Sequence, residues 1–516
     1  MTRPSVVRAK STRYSMWLGP VLIVFMALST AVALLGLTLT SPGVVMGATL
    51  ALWLAATFWA AFSVPGGYVF CAFLVSYFVF LLARPAIVML FGPDPQALTG
   101  AYGTNFWSEP LLTEVFLLLY LGLMAMVVGA FIATSIKGRA PLRRKDSLEL
   151  NWSRIQAVQT WAKICYFVTL PFAALVLIER SQMVSTGGFY DLRVESATSL
   201  PGIVHLLSGM NDVFFFAFLA TWPSKGKAVP AILGYVFLVT LSLMTWQRSE
   251  FVLGVLFVVL YLIHRQHTDT TSERWISWRI AAVGAVLLVP VVALLQSVGD
   301  IRGRSSAETS YPLFGLVDFL YNQGVTVNVI GYAIAMEDRV PEGRFYSLGP
   351  AIEFLKWNVG SILSGDSYPT GQSAERVAEG HQLSHTLSFL IMPDLYLQGS
   401  GYGSSFIAEL WLDGGVIALF VGSVLLGIAL VMMPRMLNVR SIVVTTALLM
   451  ILNQIMFTPR ANFIGFLVTP FGVPSLIGAA ILVALMMLTM NKPVSGVSRT
   501  RRPLSNHQNS LRVANR

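Results

Sequence analysis

Apolar stretches of about 20 residues recur along nearly the whole chain, each long enough to cross roughly 30 Å of hydrocarbon at 1.5 Å per residue. With 55% of 516 residues hydrophobic, 12% charged and a mean hydropathy of +0.68, there is more apolar surface than a soluble core can bury. The solvent for this chain is lipid, and the fold class expected is all-α and polytopic. Polar breaks between the runs place twelve transmembrane helices near 17–39, 44–63, 68–91, 111–136, 160–182, 203–222, 228–246, 249–264, 279–298, 404–433, 440–458 and 464–490. The first follows a basic segment (Arg3, Arg8, Lys10, Arg13), but it is too long for a secretory signal and lacks a small-residue cleavage site, so it is expected to remain as an anchor.

Charge fixes the orientation. If both termini are cytoplasmic, the cytoplasmic segments hold 23 of the 35 Lys and Arg and only four acids, Asp146, Glu149, Asp269 and Glu273. The positive-inside rule then supports that assignment. The net charge of +10 is accounted for by topology, so nucleic acid is not a partner it calls for. The Arg-rich tail at 491–516 is expected to lie against anionic headgroups. Cys71 and Cys165 sit apart in apolar runs, without a CxxC pair, and point to no disulfide, metal site or nucleophile.

The plan that results has nine helices over 1–298, one large outer loop at about 299–403, three helices over 404–490 and the basic tail. A connection as long as 299–403 is usually functional. Within it, Tyr311–Leu320 and Tyr346–Leu355 mix aromatics and aliphatics with a single acid each, which suits short amphipathic helices on the outer leaflet.

Charge near hydrocarbon is costly and asks for a partner or a role. Arg248 lies in a turn too short to leave the outer membrane face, a fixed cation at the depth of a lipid phosphate, or an interfacial Arg paired with Glu250. Arg302 and Arg304 follow the ninth helix in GDIRGRSS, and two guanidiniums there suit a bidentate grip on a diphosphate. His381 and His385 are spaced i, i+4 without an HExxH pattern, so proton transfer is favoured over metal binding, and no metal or other cofactor is expected. Gly399, Gly401 and Gly403 open the tenth helix, whose free N–H groups favour an anion. Glu409 and Asp413 share a face in its first turns, placed to orient a His or an Arg. Arg84, Asp212 and Arg460 are intramembrane singletons that read as structural partners.

The run from His385 to Gly415, with HTLSF followed by YLQGSGYGSSFIAELWLDGG, resembles the late segment of O-antigen polysaccharide polymerases of the Wzy type. Length, hydropathy and a single large outer loop before the last three helices agree with that resemblance. It implies a GT-C-like glycosyltransferase of the inner membrane that joins undecaprenyl-pyrophosphate-linked repeats at the periplasmic face, with a chain-length regulator as a further partner. It also implies that Arg248 and Arg302 or Arg304 bind the diphosphate and that His385 is the base, with Glu409 placed to orient it. Some members are described by an Arg followed by Gly after ten, and another after fifteen, intervening residues. Arg304 with Gly315 and Arg344 with Gly360 meet those spacings, although both fall in one loop. The O-antigen ligase, which transfers finished polymer to lipid A core, shares the same plan. A flippase or secondary transporter is the non-enzymatic alternative, but no internal repeat supports it.

Overall fold

In a computed structural model of the protein, the described residues are 11–64, 66–91, 108–136, 152–187, 199–268, 274–278, 290–295, 314–360, 371–439 and 441–490, with isolated positions between them. Among these residues every element is helical. The first eight are α1 (Ser11–Thr38), α2 (Pro42–Ser63), α3 (Tyr68–Phe91), α4 (Glu109–Ser135), α5 (Trp152–Gly187), α6 (Gly202–Ala220), α7 (Lys225–Leu241) and α8 (Arg248–Thr268). The segment 299–403 contributes α9 (Phe314–Gln323), α10 (Val327–Ala335), α11 (Gly349–Leu355), α12 (Ala374–Glu379), α13 (Leu383–Ile391) and α14 (Pro393–Leu397). The chain closes with α15 (Phe406–Met436), α16 (Ile442–Ile455), α17 (Gly465–Val468) and α18 (Val473–Met490).

Nine helices among the described residues are long and apolar enough to span a bilayer, or ten if the bent pair Gly465–Phe471 and Val473–Thr489 is one span. These ten match ten of the twelve expected segments. The segment at 440–458 forms a helix only over Ile442–Ile455, about 21 Å long at 1.5 Å per residue, short of the hydrocarbon thickness. Its end is set by Pro459, which opens the single turn Thr458–Arg460 and cannot continue the ladder. The expected span at 279–298 falls mostly outside the described residues.

The tenth expected span departs most from a simple rod. It was read as one helix over 404–433, yet α15 breaks at Gly414 and Gly415, the latter at φ 59° and ψ −145°, a conformation open to glycine. Leu410 and Gly422 would stand about 18 Å apart on a straight helix. Instead the Leu410 methyls lie 2.7 Å from where a Gly422 Cβ would be, and Ile407 and Leu419 both pack on Gly122 of α4. The arm Phe406–Asp413 therefore folds back along the second arm, and Val416–Met436 alone provides about 31 Å of span.

The second arm crosses α4 with backbone against backbone. A Cβ on Gly129 would overlap Val424 O, and one on Gly427 would overlap Met126 O. Small residues let membrane helices approach closely, and here the two glycines interlock reciprocally. Arg435 Nη1 ties the far end of the second arm by donating to Ala133 O at 3.0 Å, a late carbonyl of α4. Gly427→Ala is expected to cost about 1–3 kcal/mol as overpacking. The check is the unfolding midpoint in detergent beside Gly47→Ala, where nothing lies within 4 Å and no loss is expected.

The loop ahead of α15 is clamped onto this bundle. Arg84, buried in α3, stacks 4.3 Å over the Tyr321 ring and donates from Nη2 to its hydroxyl. Arg460 donates from Nη1 to both Gln323 O and Gln323 Oε1. Asp413 accepts from Tyr346 N and Ser347 N, each at 2.8 Å, fastening the start of α11 to the folded-back arm. The two helices expected in the loop exist as α9 and α11, but the acid of the second points inward. Glu353 is 1% exposed, whereas Leu348 and Leu355 face outward.

Candidate functional site

Helices α13 and α14 meet at a sharp corner. Met392 leaves helical geometry at φ −147° and ψ 68°, and Pro393 starts the next helix without a lost N–H bond. The corner brings Tyr396 back against α13, edge-on to His385 and Phe389, two residues one turn apart on the same face. His385 Nδ1 lies 2.8 Å from Tyr396 Oη. Burial pushes the Tyr396 phenol up to about 12, so it keeps its proton at neutral pH.

His385 opens onto a cavity of about 420 Å³. Ser384 and Ser388 line it from α13, Gly371, Gln372 and Arg376 from the segment ending in α12, and Gly401 and Gly403 from the approach to α15. Two glycines there are conformationally required, since Gly399 and Gly403 sit at φ +95° and +83°. Ser388 binds the strand to α13, donating its hydroxyl to Ser384 O and accepting from Tyr402 N at 3.1 Å. Gly401 is tight for another reason: a Cβ there would come within 3.3 Å of Ser388 Oγ and 3.4 Å of Gln372 Nε2.

Arg376 is the charged side chain in the cavity wall. Its Nη2 pairs with Glu353 Oε2 at 3.2 Å, its Nη1 donates to Gly371 O, and its guanidinium lies 4.8 Å over the Trp357 ring. Glu353 also accepts from His381 N at 2.9 Å and from Gln382 Nε2. Ser373 caps α12 by accepting from Arg376 N, which fixes the helix carrying the guanidinium.

The structure brings His385, Gly401 and Gly403 to one cavity, and the other candidates among the described residues lie elsewhere. His381 turns away: Lys356 Nζ donates to its Nε2 at 3.2 Å, which requires a neutral ring. Burial, then the Lys356 and Arg344 charges, lower its pKa in agreement with that. Arg344 caps the end of α12, donating to the carbonyls of Val377, Ala378 and Gly380. Arg460 holds Gln323, and neither arginine lines the cavity.

Glu409 does not orient His385. It is fully buried and its carboxyl accepts from Ser404 Oγ at 2.6 Å, Asn462 Nδ2 at 2.7 Å and Phe463 N at 2.8 Å. The group at His385 Nδ1 is Tyr396. The start of α15 was expected to favour an anion, and the Ser404 hydroxyl just ahead of it donates to this carboxyl. Arg248 lies on the short turn as expected and donates from Nη1 to Leu295 O at 2.9 Å, seven residues ahead of Arg302. Arg302 and Arg304 themselves lie outside the described residues.

Arg376, Gln372 and Tyr396 were missed. Arg376 pairs with Glu353 across more than twenty residues, and Tyr396 is brought to His385 by the corner at Met392. A PD dipeptide eight residues after a candidate histidine was the available signal. Among the described residues no group of three or more His, Cys, Asp or Glu converges as a ligand set for a metal.

Among curated proteins and solved structures, none matches this chain significantly. The family model for O-antigen polysaccharide polymerase Wzy, however, matches residues 21–493. A match over nearly the whole length of a multi-pass, all-helical membrane protein with this loop and cavity leads to one conclusion: the chain belongs to the O-antigen polysaccharide polymerase Wzy family.

Proposed function

We propose that this polymerase works at the outer face of the bacterial inner membrane, with both termini cytoplasmic, and that its donor is a glycan on a polyprenyl diphosphate. A hydroxyl of an incoming lipid-linked repeat attacks the anomeric carbon of the donor glycan. The new C–O bond forms as the bond to the diphosphate breaks, and the electron pair leaves with the diphosphate. The hydroxyl proton passes to His385 Nε2 and from there to solvent or the departing diphosphate. The donor is already activated, so the step needs no nucleotide.

The observation that carries this reading is the His385–Tyr396 contact at the cavity. In the tautomer that donates Nδ1–H to Tyr396 Oη, Nε2 is the ring atom that can accept a proton. A positioned base contributes typically about 10²- to 10⁴-fold in rate. Arg248, Arg302 and Arg304 take the diphosphate in this scheme, because fixed cations aimed at departing charge stabilise the transition state. The hydrogen bond from Arg248 to Leu295 O supports this, since it places one of the three beside the segment leading to the other two.

Tyr396 is a positioning residue. Tyr396→Phe keeps the ring packing and releases the tautomer, so kcat is expected to fall by about tenfold. The acid limb of the pH–rate profile should move with it, a change that a purely structural role would not produce.

Complementation of a deletion strain tests the overall reading. Loss of a polymerase leaves lipid A core bearing a single repeat, and wild-type protein is expected to restore a ladder. Core without any repeat in the deletion strain would indicate a ligase instead.

A further inference from the structure

We propose that the cavity beside His385 is the seat of the acceptor sugar, and that the donor's diphosphate is held elsewhere. The proposal rests on the glycosyl-transfer reading above and assigns one half of the substrate to a place.

The argument begins with charge. A diphosphate carries at least two negative charges, and burying it needs cations that are not already neutralised. Arg376 is the charged side chain lining the cavity, and Glu353 lies 3.2 Å from it in a pair that is almost wholly buried. Of the other described cations on this part of the loop, Arg344 directs its guanidinium to three backbone carbonyls and Lys356 donates to His381 Nε2, and neither lines the cavity. Among the described residues that line it, what remains is a nearly neutral wall of an amide, two hydroxyls, an ion-paired guanidinium, an imidazole and glycine backbone. That set suits a polyhydroxylated, uncharged ligand, which offers donors and acceptors in equal measure.

The wall also carries unused hydrogen-bonding capacity. Gln372 Oε1 and Arg376 Nε are buried and have no hydrogen-bond partner. Buried polar groups are normally satisfied, so one such acceptor and one such donor beside a cavity mark groups that a ligand completes. The volume, about 420 Å³, lies in the lower part of the roughly 300–1,000 Å³ range of small-ligand sites. It has room for a sugar unit.

The sugar in this cavity is the acceptor because of His385. The base must reach the hydroxyl that attacks, so the sugar next to the imidazole carries that hydroxyl. Gln372 then sets which sugar is accepted.

Purified protein in detergent tests this with two probes. One is the repeat oligosaccharide freed from its lipid by mild acid and labelled at its reducing end, which has the attacking hydroxyl and no diphosphate to lose. The other is undecaprenyl pyrophosphate, used as a product inhibitor. With lipid-linked repeat as donor, Gln372→Leu is expected to raise KM for the free oligosaccharide about tenfold, the loss of one or two net hydrogen bonds. Inhibition by undecaprenyl pyrophosphate should be unchanged. Gln372→Asn, which withdraws the amide by one methylene, is expected to fall between, and carries the test if the Leu variant does not fold. An unchanged KM in the folded variants would overturn the assignment, as would an inhibition constant that moves in step with KM. Wild-type protein that fails to lengthen the lipid-linked repeat would instead remove the glycosyl-transfer reading, and the assignment with it.

Discussion

Cells carrying His385→Ala as their sole copy are expected to show core with a single repeat and no ladder, while the variant accumulates in the membrane like wild type. Two features of the site set that expectation. His385 is half-buried at the cavity edge and contributes little to the bundle, so its truncation leaves the fold intact. Its partner Tyr396 is held from the other side by Phe389, so the tyrosine stays in place when the imidazole goes. Losing a positioned base costs about 10²- to 10⁴-fold, enough to erase polymer made during a generation. The rate loss is read by extension assays with purified protein normalised to the amount folded. A wild-type ladder in this strain would remove His385 from the chemistry.

Glu409→Ala is expected to fail differently, by loss of the protein itself. Its carboxyl is the acceptor for a hydroxyl, an amide and a backbone N–H, all converging on a fully buried group. Truncation leaves those donors unsatisfied at about 1–3 kcal/mol each, a large share of a typical 5–15 kcal/mol of stability. The folded-back arm would lose its tie to the segment after Arg460, and membrane levels should drop severely. Glu409→Gln keeps one acceptor oxygen and is expected to accumulate at an intermediate level. Its rate per folded molecule should stay within a few-fold of wild type. A normally abundant Glu409→Gln protein with a hundredfold lower rate would return Glu409 to the chemistry.

That contrast shows how far the sequence can be read. Glu409 and His385 both look catalytic in one dimension, because each is an ionisable residue near the outer face. Only the fold-back at Gly414 and Gly415 separates them, carrying Glu409 toward Asn462 and Phe463 and away from His385. A 30-residue apolar run was a signal for such a break, since it is about 45 Å long and exceeds the bilayer. The glycine pair within it was the place to look. Ten of the spans were legible because hydrocarbon thickness imposes its length on any helix that crosses it.

The loop was harder to read. Its helices are five to ten residues long, too short for periodicity to establish a face. Glu353 illustrates the consequence. As the single acid of an amphipathic-looking segment it reads as solvated, yet it is buried beneath Arg376 and orders His381 and Gln382. Non-local pairings of this kind leave no trace in spacing. His385 stood out because histidine is the side chain whose unperturbed pKa lies nearest neutrality, a property of the residue rather than of its neighbours.

The site therefore divides its work by chemistry. In the proposed scheme a cavity with a base at its edge takes the sugar that attacks, and Arg248, Arg302 and Arg304 take the charge that leaves. The two are joined by a loop anchored through Arg84, Arg460 and Asp413 to helices that the lipid keeps in place.

The most direct test is to give purified protein, in detergent or liposomes, nothing but its lipid-linked repeat. A ladder of lengthened products with release of undecaprenyl pyrophosphate, lost in His385→Ala, is the predicted result. Transfer of the repeat across the membrane without lengthening, or a ladder that His385→Ala makes equally well, would contradict the account.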